Sequence, residues 1–269
     1  MSDTDRKFAG SIPALYDRYL GPLIFEPYAV DVAARIAASA PARVVETAAG
    51  TGVVTRALAR ALPSAVEIVA TDLNQPMLDY AAVQPGVERV IWRQANAQEL
   101  PFPDASFDAA VCQFGVMFFP DKIGAYREAR RVLKPGGRFL CSVWDRIEDN
   151  DFANLVDETV AALFPGNQPR FLARTPHGHH DVAAIERDLR AAGFTHVESQ
   201  TVTKHSRAAS PCDAALGFCQ GTPLRNEIDA RDPSRLAEAT DAAAAAIAAR
   251  FGTGPVDGKI QAIIFTAHR

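Results

Sequence analysis

Apolar and polar positions along the chain switch between two periods. ARVVET (42–47) is a short apolar run that reads as a buried strand, and GVVTRALARALP (52–63) spaces its apolar residues as a helix stopped by Pro63. The alternation continues. AVEIVATD (65–72) predicts a strand, NQPMLDYAA (74–82) a helix with Asn74 placed to cap it, and VERVIWRQ (87–94) a third strand. FDAAVCQF (107–114) predicts a fourth strand, KIGAYREARRVLK (122–134) a helix closed by Pro135-Gly136-Gly137, and RFLCSVW (138–144) a fifth strand. Strand, helix, strand at this spacing means βαβ units and a parallel sheet covered on both faces.

The flanks follow a different pattern. Residues 1–10 are polar and expected to be loose, and residues 12–40 are helical, with Pro13, Pro22 and Pro27 cutting them into short pieces and Pro27 opening YAVDVAARIAAS. After residue 144 come a helix, NLVDETVAALF, and a loop rich in proline, glycine and histidine, QPRFLARTPHGHH. DVAAIERDLRAAG is an amphipathic helix ended by Gly193, and THVESQTVTKH alternates as a half-exposed strand does. Residues 210–251 are a second helical excursion, whose alanine-rich DAAAAAIAAR needs no function beyond helix propensity, and KIQAIIFTAHR closes the chain as a strand.

Composition narrows the function classes. The chain has 269 residues, 48% hydrophobic, with formal net charge −4. It therefore lacks the general electrostatic pull toward nucleic acid that a basic face gives. No run approaches the ~20 apolar residues of a membrane span. The four cysteines show no C-x-x-C spacing and two lie in strand-like runs, so reduced thiols and a cytoplasmic compartment are expected.

The chemistry concentrates at VVETAAGTG (44–52). Gly50-Thr51-Gly52 lies between a strand and a helix, where glycines let backbone approach a ligand and the helix N-terminus offers free N–H groups. Gly52-Val53-Val54 excludes a phosphate-binding G-K-[ST] loop, and Thr55 stands where a dinucleotide fingerprint has its third glycine. A tight turn that binds nothing fits the loop as well. Asp72, about 20 residues after Gly50, ends the second strand where a carboxylate would face the ribose of a nucleoside; helix capping is the rival role.

Four pieces in order, VVETAAGTG, ATDLNQPML, ANAQELPFPDASFDAAV and REARRVLKPGGRF, resemble the class I S-adenosylmethionine-dependent methyltransferases, in particular the small-molecule branch of the ubiquinone/menaquinone-pathway enzymes. The likeness runs from about Val44 to Val143. It implies a doubly wound, Rossmann-like α/β fold, mostly parallel with an antiparallel last strand, helices on both faces and a small helical cap. On that basis 1–40 is an N-terminal helical lid, 41–144 the cofactor-binding core, 145–180 and 206–258 cap insertions, 181–205 a core helix and strand, and 259–269 the last core strand, all in one domain.

The same resemblance implies roles. Ala48, Ala49, Gly50 and Gly52 would line the methionine and ribose part of S-adenosylmethionine, with Glu46 near its amino end. Asp72 would hold the ribose hydroxyls, and Leu73 and Met77 would flank the adenine. Asn96, Ala97 and Gln98 would meet the adenine edge, and Gln113 would border the methionine chain. Phe114, Val116 and Met117 would wall the transfer site. Ala48 replaces a usual glycine, which fits if its φ is negative, and Asn96 replaces a common aspartate, offering a neutral acceptor.

Methyl transfer from a sulfonium asks mainly for alignment, and for a base only when the acceptor must lose a proton. His177 of HGHH and Tyr19 are the base candidates; the cluster has no standard metal-ligand spacing, and no metal is expected. Trp144, Phe218 and Arg225 join Met117 as acceptor-side candidates, Arg225 for an anionic group. Two rival readings are an NAD(P)-dependent oxidoreductase with a divergent fingerprint and a non-catalytic Rossmann-like binding module. The acceptor stays unnamed and a homodimer open.

Overall fold

The computed structural model describes Asp5, Gly10 and residues 12–269. The expectation of a loose stretch at 1–10 otherwise lies outside the described residues. Among the described residues seven strands form one sheet: β1 (Arg43–Glu46), β2 (Glu67–Asp72), β3 (Ile91–Gln94), β4 (Phe107–Gln113), β5 (Leu133–Trp144), β6 (His196–Ala208) and β7 (Val256–His268). Their order is β3-β2-β1-β4-β5-β7-β6. Strands β1 to β5 pair in parallel, with Val45 opposite Val69 on β2 and Ala110 on β4.

Strand β7 runs the other way. The Arg269 N–H donates to Gly137 O at 2.9 Å while, at the far end, Asp145 N–H donates to Gln261 O at 3.1 Å. This reversed strand, inserted between β5 and β6, separates the fold from the all-parallel dinucleotide arrangement.

Helices α1 (Ile12–Leu15) and α2 (Glu26–Ala37) precede the sheet, and α3 (Val53–Ala61), α4 (Gln75–Ala82) and α5 (Lys122–Val132) make the parallel crossovers. Helices α6 (Asp151–Ala162), α7 (Phe171–Arg174) and α8 (Val182–Ala191) follow β5; α9 (Pro211–Gln220), α10 (Leu224–Asp229) and α11 (Leu236–Phe251) follow β6. The chain forms two compact units. One comprises 1–27, 144–179 and 203–261; the other, called the sheet unit below, comprises 28–143, 180–202 and 262–269. Among the described residues no helix is long and apolar enough to cross a membrane.

Three local expectations are corrected. Pro22 does not cut the N-terminal helix: Tyr16–Phe25 winds as a wide π-helix with Pro22 inside it, and Glu26 N–H reaches back to Gly21 O. The wider turn accommodates a residue that has no N–H to donate. Pro135-Gly136-Gly137 does not close α5, which ends at Val132. The three residues belong to β5, where the register with β4 jumps from Phe107–Leu133 to Ala109–Arg138. Glycine is required in this bulge, because a Cβ on Gly137 would lie 2.9 Å from Lys134 O and 3.0 Å from Asp108 O. Asn74 does occupy the N-cap of α4, but its side chain makes no cap bond there; its Nδ2 turns back to Asp72 Oδ1 at 3.3 Å.

The turn from α3 to β2 is secured by a residue that the hydrophobic pattern does not reveal. The Arg89 guanidinium donates to five carbonyls: Ala59, Leu62, Pro63, Ser64 and Val66. It satisfies the open C-terminal carbonyls of α3 and fixes where β2 begins. Arg89→Ala is expected to lower unfolding free energy by about 2–3 kcal/mol in urea denaturation, with Arg89→Lys recovering less than half, since an ammonium cannot span the same fan of acceptors.

Candidate functional site

The site residues of the sheet unit are set by the ends of its parallel strands. Between β1 and α3 the backbone hangs from both neighbours of β1: Thr47 N–H donates to Val111 O on β4 and Ala49 N–H to Thr71 O on β2, each at 2.9 Å. The loop then turns through Gly50 (φ +56°) and Gly52 (φ +79°) into α3. Gly52 admits no side chain, since a Cβ would approach Trp92 at 3.0 Å and Ala81 at 3.1 Å.

Ala48 corrects the expectation of a negative φ. It sits at φ +53°, in the left-handed region, which costs an L-residue roughly 1–2 kcal/mol. Its methyl is accommodated because position 115 has none: a Cβ on Gly115 would stand 2.5 Å from the Ala48 Cβ. Phe114, the residue before it, is left-handed as well, at φ +53°. Two strained non-glycine residues meeting at the ends of β1 and β4 are the kind of backbone that functional sites retain.

Two buried acids flank the loop. Asp72 Oδ2 accepts the Gly50 N–H at 2.9 Å, and its Oδ1 accepts the Asn74 N–H at 2.8 Å. Burial raises its pKa, against the pull of these bonds. Glu46 Oε2 accepts the Thr55 hydroxyl at 2.6 Å. Its pKa is pushed up to about 8, first by burial, then by the nearby Asp72 charge, with the Thr55 bond and Arg56 opposing. Thr55, at the place of a third fingerprint glycine, thus holds the acid.

Other expected residues gather at the same strand ends. The Met77 Cε would lie 3.8 Å from a Cβ at Gly50, placing the thioether beside the loop. Leu73 is an exposed large apolar side chain directly after Asp72. Past β3, Asn96 forms a tight turn in which its Oδ1 accepts the Gln98 N–H at 3.0 Å and its carbonyl the Glu99 N–H at 2.9 Å. Ala97 sits half-buried inside that turn. Gln113 ends β4 half-buried, and Met117 is buried in the short helical turn that follows. Sequence reasoning passed over Thr51, whose hydroxyl is buried with no hydrogen-bond partner among the described residues. Its place between two glycines was the available signal.

The remaining candidates belong to the other unit. Trp144 and His177 are both buried, their ring centroids 6.0 Å apart, and Phe25 lies 6.1 Å from Trp144. Tyr16 stacks on Phe25 at 4.7 Å. His177 Nδ1 contacts the Asp145 carbonyl at 2.8 Å. A carbonyl only accepts, so Nδ1 carries the hydrogen and the basic lone pair of the neutral ring is on Nε2. The first histidine of HGHH is therefore a buried, hydrogen-bonded ring. Tyr19 is half-buried where the N-terminal helix packs on Gly217 of α9, and Phe218 is a buried residue of α9. Arg225 pairs with Asp229 one helical turn on, at 3.5 Å. Among the described residues no group of histidine, cysteine, aspartate and glutamate is arranged to hold a metal.

Glycine turns that admit backbone approach, the unsatisfied Thr51 hydroxyl and two buried acids thus meet at one set of strand ends. Comparison with known proteins gives the family. Residues 45–141 match a family described as a methyltransferase domain. The ubiquinone/menaquinone biosynthesis C-methyltransferase UbiE of Marinomonas sp. is 32% identical over 173 residues, covering 60% of this chain and 69% of that protein. Among solved structures, the cyclase SpnF is similar with TM-score 0.57 and 19% identity, covering 95% of this chain and 92% of its own. Phosphoethanolamine N-methyltransferase 2 of Haemonchus contortus, solved with S-adenosyl-L-methionine, is similar with TM-score 0.50 and 18% identity, covering 84% of this chain and 48% of its own.

The Glu46 shift has a stability consequence. Between its ordinary value of 4.5 and about 8, the folded chain keeps a proton that the unfolded chain releases. Stability therefore falls as pH rises through that window and levels off above it. Glu46→Gln, neutral throughout, should melt progressively above wild type from about pH 5 to about pH 8 in thermal scans. A difference independent of pH would contradict the assignment.

Proposed function

The chain belongs to the class I S-adenosylmethionine-dependent methyltransferases, and from that premise we propose how its residues divide the work of transferring a methyl group to a small-molecule acceptor. When bound, the cofactor supplies a methyl on a sulfonium, whose leaving group is a neutral thioether and needs no acid. Asp72 takes the ribose hydroxyls; the N–H groups of Gly50 and Asn74 hold its carboxylate in place. Ala48, Ala49, Gly50 and Gly52 give the close backbone face. Leu73 and Met77 flank the adenine, while Asn96, Ala97 and Gln98 meet its edge. Glu46 serves the amino end, releasing its proton as an ammonium approaches, and Gln113 borders the methionine chain.

The observation that carries this reading is the pair of buried acids, Glu46 and Asp72, on either side of a glycine turn. Asp72 would accept from the ribose hydroxyls, and Glu46, protonated in the ligand-free chain, would become a carboxylate beside an ammonium.

For the acceptor side we propose a planar ring. The rings of Tyr16, Phe25, Trp144 and His177 follow one another at 4.7, 6.1 and 6.0 Å within one unit, a surface suited to an aromatic group. The UbiE relative is by name a C-methyltransferase of ubiquinone/menaquinone biosynthesis, which supports the same class. His177, held as its Nδ1–H tautomer by the Asp145 carbonyl, would take a proton at Nε2 from an acceptor that must lose one. Phe218, in the same unit, would add apolar wall, and Arg225, if it turned from Asp229, would suit an anionic substituent; Met117 belongs to the sheet unit, where it would border the methionine end with Gln113. All four cysteines are unpaired, which supports a reducing, cytoplasmic compartment.

Titration calorimetry with S-adenosylmethionine, S-adenosylhomocysteine and NAD tests the cofactor assignment: the first two should bind and NAD should not. Asp72→Ala should weaken S-adenosylmethionine by about 100-fold, as expected for loss of charge-assisted bonds worth ~1.5–3 kcal/mol apiece. Unchanged affinity would remove the ribose role.

A further inference from the structure

The bond that seats His177 depends on where one N–H of β7 is sent. Just past the end of β5, Asp145 N–H donates to Gln261 O on β7 at 3.1 Å. Residues opposed in this way across antiparallel strands exchange two bonds, so the Gln261 N–H is expected back on the Asp145 carbonyl. It goes elsewhere, to Asn150 Oδ1 at 3.0 Å. The Asp145 oxygen is thereby left for His177 Nδ1, at 2.8 Å.

Asn150 is fixed in that place from several sides. It is 1% exposed and holds the N-cap position of α6, yet its side chain makes no cap bond there. Asparagine is among the residues best suited to such a bond, so its use elsewhere needs a reason. Its Nδ2 donates to Arg146 O at 3.0 Å while its Oδ1 serves Gln261. The residues on either side anchor the same strand: Lys259 N–H donates to Asp151 Oδ2 at 2.6 Å and Lys259 Nζ to Asp149 Oδ1 at 2.8 Å. Where β5 stops at Trp144, the side chains of Asn150 and Asp151 take over N–H groups of β7 that need partners. Gln261 is a polar residue inside the apolar run KIQAIIF, and its side chain steadies the same spot. Its Nε2 donates to Asp145 Oδ2 at 2.8 Å, and its Oε1 accepts the Thr203 hydroxyl at 3.0 Å. All of these residues belong to one compact unit.

We propose that Asn150 is a positioning residue for His177: by taking the Gln261 N–H it reserves the Asp145 carbonyl for Nδ1–H, and so keeps Nε2 as the basic nitrogen of the ring. The inference rests on the acceptor-side reading of His177 above. The tautomer of a neutral histidine is set by the hydrogen bond that its other nitrogen makes. If the Gln261 N–H closed on Asp145 O instead, one oxygen would serve two donors and hold the ring less firmly.

The test is imidazole nitrogen NMR of the ligand-free protein, recorded where His177 is neutral, since a ring nitrogen bearing hydrogen and one bearing a lone pair resonate well apart. The chain has six histidines, and the signals lost in His177→Gln identify the ring. Wild type should show the Nδ1–H form. In Asn150→Ala the ratio of Nε2–H to Nδ1–H should rise about threefold or more, the scale of weakening one hydrogen bond. Asn150→Asp keeps an acceptor for the Gln261 N–H and loses the donor to Arg146 O, so it should melt below wild type yet keep the wild-type His177 spectrum. A folded Asn150→Ala protein with the wild-type ratio would overturn the proposal, because an asparagine of merely structural use would change melting alone. A switch to Nε2–H in Asn150→Asp would overturn it too, and that variant decides the matter where Asn150→Ala does not fold. The Nε2–H form in wild type is a different result, and would overturn the base role of His177 beneath the proposal.

Discussion

The Asp72 carboxylate is the constraint on which the rest of the sheet unit's site depends. One oxygen takes the Gly50 N–H and the other the Asn74 N–H, so a single side chain at the end of β2 ties the loop after β1 to the start of α4. These bonds keep a buried acid in a fixed orientation while burial raises its pKa. They also explain why Asn74 does not cap α4 with its side chain: the residue is turned toward the acid. A helix cap is given up so that the carboxylate is shared among backbone donors.

The same loop shows how a departure from a glycine pattern is tolerated. Ala48 is left-handed although it carries a methyl, and the space for that methyl comes from Gly115 on another strand end. The glycine missing from one loop is supplied by the loop facing it. Phe114 shares the strain, and its N–H is held by Ser142 O, so β5 helps to maintain the unusual backbone. Strain of this kind persists only where surrounding bonds over-determine it.

Much of this was legible in the sequence. The alternation of apolar periods gave every strand of the parallel half, and the acid at the end of β2 was found by its spacing from the glycines. What escaped has identifiable causes. Pro22 inside a wide helix and the glycine bulge of β5 are cases where long-range packing overrides local breaker signals. Arg89 looks like any surface arginine until the carbonyls of the α3 turn are brought around it. The sign of φ at Ala48 depends on a residue 67 positions away in the chain, Gly115. Burial of His177, alone of its cluster, is set by Trp144 and by the Asp145 carbonyl, neither of which is its neighbour in sequence. Sequence reasoning reached what strand ends present; it did not reach what only tertiary proximity creates.

Fold alone would not settle the chemistry, since a cyclase shares this architecture across most of its length. The distinction lies in where charge is placed on it. In a dinucleotide fold the glycine turn and helix N-terminus are left open for a pyrophosphate. Here the third glycine is Thr55, whose hydroxyl is bonded to Glu46, so an acid occupies the side of the turn where an anion would need to come. With Asp72 on the other side, two buried acids flank the turn, and one of them, Glu46, keeps its proton up to about pH 8. Threonine in place of glycine at 55 supplies the hydroxyl that seats Glu46, without altering the strands that build the turn.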